Sequence, residues 1–324
     1  EQIGAIIDQG PADYQILQQG RDGTAEIALS GRWINPPDAT VTAVGVRLVD
    51  ETTNVPPATH LDWNTVRARQ DGTWSATLKR VPAGGMYRIE THCRFTGNPA
   101  TEWSLRGDMR HFIGVGDLWI VAGQSNSAGY GRGPWHDPPE LGLHTFSNAM
   151  RWALATQPLN ESTDTAHPVN RETANPGHSP WLHFARLVRR ELGYPIGLLQ
   201  TSLGGSALAS WDPTDDGGDV KPVLFENMVD VVHAAGGKAR GVVWYQGESD
   251  ASPQAAPTYT RRFISAVRAW RKALHAPDLA VLTVQLNRVS APAGEANGAG
   301  WSLVREAQRQ AAHQMIPGYL PRPA

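Results

Sequence analysis

From residue 116 onward, the sequence alternates short apolar runs with segments of helical periodicity. The apolar runs are continuous, which is typical of strands that are buried on both faces. This alternation predicts an α/β domain in which helices cover both faces of a parallel sheet. The predicted strands cover residues 118–122, 196–201, 241–246 and 279–286, and the predicted helices cover residues 180–192, 222–235, 259–274 and 301–313.

The segment 180–192 shows the helical pattern clearly. Ser179 is a candidate N-cap, and Gly193 is a candidate C-terminal stop. The residues that we expect on its apolar face are Trp181, Phe184, Ala185, Val188 and Leu192.

Residues 1–112 have a different pattern, in which apolar and polar residues alternate and turn signals are frequent. The alternation predicts strands at residues 41–49, 72–78 and 86–95, separated by turns rich in Pro and Gly. Several short strands at this spacing suggest a β-sandwich. We therefore predict two domains: a sandwich-like accessory domain over residues 1–112 and an α/β domain over residues 113–324.

The composition limits the classes of partner. The 29 basic and 31 acidic residues nearly cancel, so nothing indicates a nucleic-acid or membrane-surface partner. No apolar run approaches the roughly 20 residues that span a bilayer. Cys93 is the only cysteine, which excludes an intrachain disulfide and a cysteine-based metal site. We expect a bacterial protein that is secreted or periplasmic, although no signal segment is visible in the chain; the oligomeric state is left open.

Polar, glycine-rich sequence follows three of the predicted strands. Ser125 lies just beyond the first, Gly204 beyond the second, and Gln246 and Glu248 at the end of the third. Each stretch alone is typical of a strand-to-helix turn, because Gly, Ser and Asn are common in turns. In a parallel sheet, however, ligands bind at the carboxyl ends of the strands. Three such stretches on one sheet therefore predict a site there.

Ser125 is the candidate nucleophile, because a strand that ends in a sharp turn exposes a serine hydroxyl at the sheet edge. A nucleophilic serine needs a base, a group that orients the base, and donors directed at the oxyanion. The backbone N–H groups of Ser125 and Gly204 and the amide of Gln246 are candidate donors. Glu248 only accepts hydrogen bonds when ionised, so its candidate roles are to orient a histidine or to hold a turn.

Three sequence blocks resemble those of the SGNH (GDSL-like) hydrolases: Gly-Gln-Ser-Asn at 123–126, Gly-Gly at 204–205 with Trp211 beyond, and Trp-Tyr-Gln-Gly-Glu-Ser-Asp at 244–250. They are most similar to the carbohydrate acetylesterase branch, which includes sialate O-acetylesterases and acetylxylan esterases. Arg-Glu-Ala-Gln at 305–308 and the N-terminal β-rich region also resemble that branch. The resemblance implies a three-layer, flavodoxin-like hydrolase domain behind the β-sandwich domain.

The resemblance also implies an activity and its residues. The protein would be a serine esterase that removes O-acetyl groups from a carbohydrate, such as sialic acid or an acetylated polysaccharide, through an acetyl-enzyme. Neither a metal nor an organic cofactor is implied. Ser125 would be the nucleophile, and the oxyanion hole would comprise Ser125 N–H, Gly204 N–H and the Gln246 side chain. Glu248 would support the catalytic histidine or the geometry of the site.

The catalytic histidine is where the sequence departs from this pattern. The last block of the family is Asp-x-x-His, and nothing after residue 313 supplies it. We interpret the departure as a missing C-terminal segment. The alternative is a natural variant of weak or no activity, a carbohydrate-binding or structural module with the hydrolase fold. In the long irregular region 134–180, His167 (within Asp164-x-x-His167) and His178 are candidate substitutes, whereas His313 is expected to be a surface residue.

A third hypothesis is that the protein is a lipase or a thioesterase. Such enzymes share the first block with this chain. The sequence disfavours them because it has no long apolar stretch to hold an acyl chain.

Overall fold

Strands dominate the N-terminal part of the chain, and strands and helices alternate in the remainder. The computed structural model describes residues 3–97, 100–133, 136–214, 220–287 and 295–315. The strands are β1 (Gly4–Gln9), β2 (Ile16–Gln18), β3 (Thr24–Ile34), β4 (Ala39–Asp50), β5 (Asn64–Arg67), β6 (Thr73–Pro82), β7 (Gly84–Gly97), β8 (Glu102–Gly123), β9 (Leu143–Phe146), β10 (Trp152–Leu154), β11 (Ile196–Gln200), β12 (Gly241–Tyr245) and β13 (Ala280–Thr283). The helices are α1 (Ser125–Ala128), α2 (Trp181–Leu192), α3 (Val223–Ala234), α4 (Tyr259–Ala273) and α5 (Glu295–Gln314).

Two sheets in the N-terminal part share one hydrophobic core. The first sheet has the antiparallel order β1-β3-β6, and the second pairs β5, β4, β7 and the first half of β8, also antiparallel. Alternate residues of β4 and β7, such as Val46 and Ile89, are buried in one core with Leu29 and Trp74 of the first sheet. The three strands predicted here occur as β4, β6 and β7. Strands β1, β3 and β5 were not predicted.

Strand β8 belongs to two regions of the structure. Its first part pairs antiparallel with β7, and from Asp117 to Gly123 it pairs parallel with β11 and β12. Within the first part, Phe112 adopts the left-handed region at φ 58°, shortly before the pairing with β7 ends at Val115. The predicted domain boundary between residues 112 and 113 therefore falls inside one strand of 22 residues.

The C-terminal half of β8 lies at the centre of a parallel sheet. The parallel strands have the order β9-β11-β8-β12-β13, and β10 joins the β9 edge antiparallel. Successive side chains of β8 point to opposite faces. Val121 packs against α2 on one face, whereas Ile120 lies in the core with α3, α4 and α5 on the other. The sheet therefore has helices on both faces, and within the described residues no helix is long and apolar enough to span a membrane.

Helix α2 shows how closely local sequence sets an element. It begins at Trp181 and ends at Leu192, and Gly193 closes it with φ 77°, as its sequence predicts. The N-cap position is Pro180, although Ser179 Oγ does accept the N–H of Trp181 at 3.4 Å. On the predicted apolar face, Trp181 is buried, whereas Leu192 is 49% exposed.

Buried His144 in β9 connects the parallel sheet to the N-terminal part. Its Nδ1 lies 2.6 Å from the carbonyl of Tyr14, and its Nε2 accepts the N–H of Gly142, so the ring is neutral. Burial lowers the pKa of His144 from 6.5 to about 4. The unfolded chain therefore binds a proton at a higher pH than the folded protein does.

We expect His144 to make the protein less stable as the pH falls. Its contribution to the free energy of unfolding is constant above about pH 6.5 and decreases by about 3 kcal/mol as the pH falls toward about 4. Urea unfolding across this range measures the change. His144→Gln should remove that part of the pH dependence, and His233→Gln, at an exposed helical histidine, should keep it. Equal pH slopes for the parent and His144→Gln would contradict the prediction.

Candidate active site

Ser125 lies at the carboxyl end of the central strand, as predicted. Gly123 ends β8 with φ 120°, and the next residue, Gln124, donates its N–H to the carbonyl of Tyr245 at 3.0 Å. Ser125 is then the first residue of α1, and its own carbonyl accepts the N–H of Gly129. The side chain of Ser125 is half-buried. The turn therefore presents this hydroxyl at the edge of the sheet.

The loop after β11 lies directly against this turn. Thr201 N–H donates to the carbonyl of Val121, and Leu203 N–H donates to the carbonyl of Gly123, both at 3.0 Å. These bonds place Gly204 next to the turn that carries Ser125. The N–H of Gly204 donates to Oε1 of Glu172, at 2.8 Å.

The loop after β12 approaches from the opposite side. The buried side chain of Gln124 accepts the N–H groups of Gly247, at 3.4 Å, and of Ser249, at 3.1 Å. Asn126 Nδ2 donates to Glu248 Oε1 at 2.5 Å, which brings this carboxylate within one residue of Ser125. The three strand ends that the sequence singled out thus meet at one edge of the sheet.

Glu248 has one oxygen with a partner and one without. Its Oε2 is buried and has no hydrogen-bond partner among the described residues. Burial raises the pKa of Glu248 above its usual range, although the bond from Asn126 opposes this shift. A buried carboxylate oxygen without a donor is costly, so this atom is a place where a donor is needed.

Gln246 is held in a different network from the one predicted. The residue is fully buried, and its Nε2 donates to Asp250 Oδ2 at 2.6 Å and to the carbonyl of Ser206 at 3.2 Å. Its Oε1 accepts the hydroxyl of Tyr259 at 2.9 Å. Both amide hydrogens are therefore occupied. In this arrangement they are not available to an oxyanion at Ser125, which departs from the predicted role.

Two buried residues that were given no role hold the turn after β12. Asp250 pairs with Arg262 at 2.7 Å and accepts the N–H of Leu208. Gln308, from the Arg-Glu-Ala-Gln sequence of α5, donates to the carbonyl of Gln246 at 2.7 Å and accepts the N–H of Leu286. The resemblance singled out Gln308, but only the fold shows which turn it holds.

The described contacts of the candidate histidines are with residues other than Ser125 and Glu248. His167 faces Asp230 of α3, at 3.9 Å, whereas Asp164 pairs with Arg151, so the two ends of the Asp-x-x-His sequence do not pair. The backbone of His178 pairs with Gly131, and the residue lines a cavity of about 520 Å³ with His136 and His183. His313 lies in the last turn of α5 and is half-exposed, close to expectation. Within the described ranges no histidine hydrogen bonds with Ser125 Oγ.

A solved structure resembles this fold along most of the chain. The carbohydrate acetylesterase XAC1771 of Xanthomonas citri superposes with a TM-score of 0.55 and 24% identity. The match covers 95% of this chain and 66% of that one. At this identity the likeness supports the fold alone.

Curated relatives match about two thirds of the chain. A probable carbohydrate esterase of Arabidopsis thaliana is 28% identical over 235 residues, covering 65% of this chain and 82% of that protein. The sialate O-acetylesterase of Homo sapiens is 26% identical over 244 residues. That match covers 65% of this chain but 44% of the human protein, so the chain spans less than half the length of this relative.

A family model matches residues 115–317, which is more than half of the chain. The model describes carbohydrate esterases, sialic acid-specific acetylesterases, and the matched residues include all three strand ends of the site. This confirms the resemblance found in the sequence. The chain belongs to the carbohydrate esterase family of sialic acid-specific acetylesterases, whose members are carboxylic ester hydrolases.

Proposed function

We propose that this protein removes O-acetyl groups from a carbohydrate by serine esterase chemistry. The observation that carries the proposal is the meeting of Ser125, Gly204 and Glu248 at one sheet edge in a carbohydrate esterase family member. Family membership favours an active esterase over the alternative of an inactive carbohydrate-binding module.

The reaction would proceed through an acetyl-enzyme. Ser125 Oγ attacks the acetyl carbonyl carbon, and its proton passes to a general base, which the resemblance implies is a histidine. The N–H groups of Ser125 and Gly204 hold the oxyanion of the tetrahedral intermediate. Collapse of that intermediate breaks the ester bond, and the sugar oxygen leaves with the proton. Water then attacks the acetyl group, acetate leaves, and Ser125 regains its proton.

Glu248 and Gln246 take different parts in this proposal. The unpartnered Oε2 of Glu248 would accept a ring N–H of the base and so orient it. For Gln246 we propose a positioning role in place of the oxyanion role, because Asp250 and Ser206 already take its amide hydrogens. It would hold the turn that carries Glu248.

We also propose a division of the chain into two domains. Residues 1–112 would be a β-sandwich accessory domain, which the shared core of its two sheets supports. Residues 113–324 would be a three-layer, flavodoxin-like hydrolase domain, which the strand order β11-β8-β12-β13 and the helices on both faces support. The left-handed conformation of Phe112, next to this proposed boundary, supports the division.

For the substrate we propose a class of acetylated carbohydrate rather than one sugar. The human relative is named for sialate, and the family model for sialic acid, which motivates an acetylated sialic acid as one candidate. An acetylated polysaccharide is the other. Export from a bacterial cell stays a prediction.

Covalent labelling tests the proposal. A fluorophosphonate reacts only with an activated serine, so we expect one adduct, located at Ser125 by mass spectrometry of peptides. A glucose monoacetate should release acetate in the presence of the same protein, and labelling should stop that release. A folded protein that neither labels nor releases acetate would instead support the inactive carbohydrate-binding module.

A further inference from the structure

The carboxylate of Glu172 occupies the donor that the proposed oxyanion hole requires. Its Oε1 accepts hydrogen bonds from Gly204 N–H, at 2.8 Å, and from Asn160 Nδ2, at 2.6 Å. Its Oε2 accepts the hydroxyl of Tyr130 at 2.7 Å. Three donors from different segments thus converge on one carboxylate. The Glu172 carboxylate therefore occupies the position in which the oxyanion of the proposed tetrahedral intermediate would form.

This carboxylate is held close to the nucleophile from both sides. Tyr130 lies just beyond α1, and the loop of Gly204 is bound to Gly123 through Leu203. A Cβ atom added to Gly204 would lie 2.8 Å from Glu172 Oε2 and 3.2 Å from the hydroxyl of Tyr130. The contact leaves no room for another group between Glu172 and the Gly204 backbone.

Glu172 belongs to the long irregular region 134–180, and buried contacts of this loop hold the residue in position. Asn160 is fully buried, and its Oδ1 accepts Nδ2 of Asn148 at 2.7 Å. Asn170, two residues before Glu172, is also buried and hydrogen bonds with Asn148. These bonds fix the loop up to two residues before Glu172. The placement of Glu172 is therefore part of the folded site.

Glu172 and an ester oxygen compete for the same hydrogen. A backbone N–H has one hydrogen, so Gly204 cannot bind the substrate oxygen while it binds Glu172 fully. An ionised carboxylate also accepts only, and it repels a developing oxyanion nearby. Gly204 N–H therefore becomes available when Glu172 turns away from it, and the lost charge-assisted hydrogen bond must be replaced.

We propose that Glu172 is a specificity-determining residue that favours esters of sugars over simple acetate esters. When it releases Gly204, its Oε1 needs new donors, and the free hydroxyls of an acetylated sugar supply them. The leaving group of an aryl acetate has no hydroxyl and cannot compensate. The inference rests on the proposed function, since it assigns to Glu172 the choice of leaving group at that same site.

The test compares two esters in Glu172 variants. In Glu172→Ala, kcat/KM for nitrophenyl acetate should rise about tenfold, because no carboxylate competes for Gly204 N–H. For a glucose monoacetate, kcat/KM should stay within about threefold, since the variant loses both the competition and the compensating bonds. Glu172→Gln keeps the volume and a neutral acceptor, so its effect on the aryl ester should be intermediate. Glu161→Gln, an exposed carboxylate of the same loop, should change neither rate.

A further measurement separates a change in specificity from a loss of folding. The thermal midpoint of each variant shows whether the loop has stayed folded, and Glu172→Gln provides the comparison if Glu172→Ala is unstable. Equal changes in kcat/KM for both esters, or a fall in kcat/KM for nitrophenyl acetate in folded variants, would overturn the inference. Glu172 would then have only a structural role in the loop. Failure of the proposed function is distinguishable, because the parent protein would then neither label with fluorophosphonate nor hydrolyse either ester.

Discussion

Replacing Ser125 with alanine is expected to lower kcat/KM for an acetyl ester by about a thousandfold or more. In the proposed mechanism this hydroxyl forms the acetyl-enzyme, so the variant would keep only the catalysis that binding and the oxyanion donors provide. Release of acetate from a glucose monoacetate measures the loss, and fluorophosphonate labelling should disappear with it. The half-buried position of Ser125 at the start of α1 suggests that the fold tolerates the change.

Ser127→Ala is the matched control in the same turn. Ser127 Oγ donates to the carbonyl of Ala122 at 2.8 Å and accepts the indole N–H of Trp181 at 2.9 Å. Its removal should cost about 1–3 kcal/mol of stability, because it leaves buried groups unpaired. Labelling of Ser125 should nevertheless persist. Equal hydrolysis by the parent and Ser125→Ala would remove Ser125 from the mechanism.

Replacing Gly123 with alanine is expected to damage both folding and activity. The residue has φ 120°, and an added Cβ would lie 2.3 Å from the carbonyl oxygen of Tyr245. That oxygen is the acceptor for Gln124 N–H, so the clash displaces the turn that presents Ser125. We expect a loss of about 3 kcal/mol in the free energy of unfolding. If Ser125 is the nucleophile as proposed, a displacement of about 1 Å at its hydroxyl should lower kcat/KM about a hundredfold.

Gly193→Ala separates backbone strain from the clash. Gly193 also has a positive φ, of 77°, but an added Cβ there meets nothing within 4 Å. We expect this control to lose about 1 kcal/mol of stability and to keep the parental kcat/KM. Urea unfolding and ester hydrolysis of the two variants, measured side by side, make the comparison. Parental activity in Gly123→Ala would show that the turn can shift without moving Ser125.

The parts of the fold that were predictable are those that local sequence determines. The strands near residues 196–201 and 241–246 are continuous apolar runs, because both faces of the sheet are covered. Helix α2 carries its own stop signal at Gly193. The shorter strands β5, β9 and β10 were missed because three or four residues give no usable period, and their pairing depends on distant partners.

The site was predictable to the level of strand ends but not of hydrogen bonds. Ser125, Gly204 and Glu248 follow from their positions beyond the strands. The sequence does not reveal which partners take the amide hydrogens of Gln246, because Ser206 and Asp250 reach it only through the fold. Glu172 was missed for the same reason. It lies in irregular sequence, and the contacts that fix it come from Tyr130, Asn160 and Gly204.

Strand β8 makes the two regions of this protein difficult to separate as modules. The turn that carries Ser125 follows the far end of a strand whose first half is hydrogen bonded to β7, with no linker between the two halves. A fragment beginning at residue 113 would cut β8, would lose its β7 partner and would remove the Tyr14 carbonyl that holds His144. Exchange of N-terminal regions between relatives should therefore take β7 and β8 from one parent, so that no junction falls inside β8.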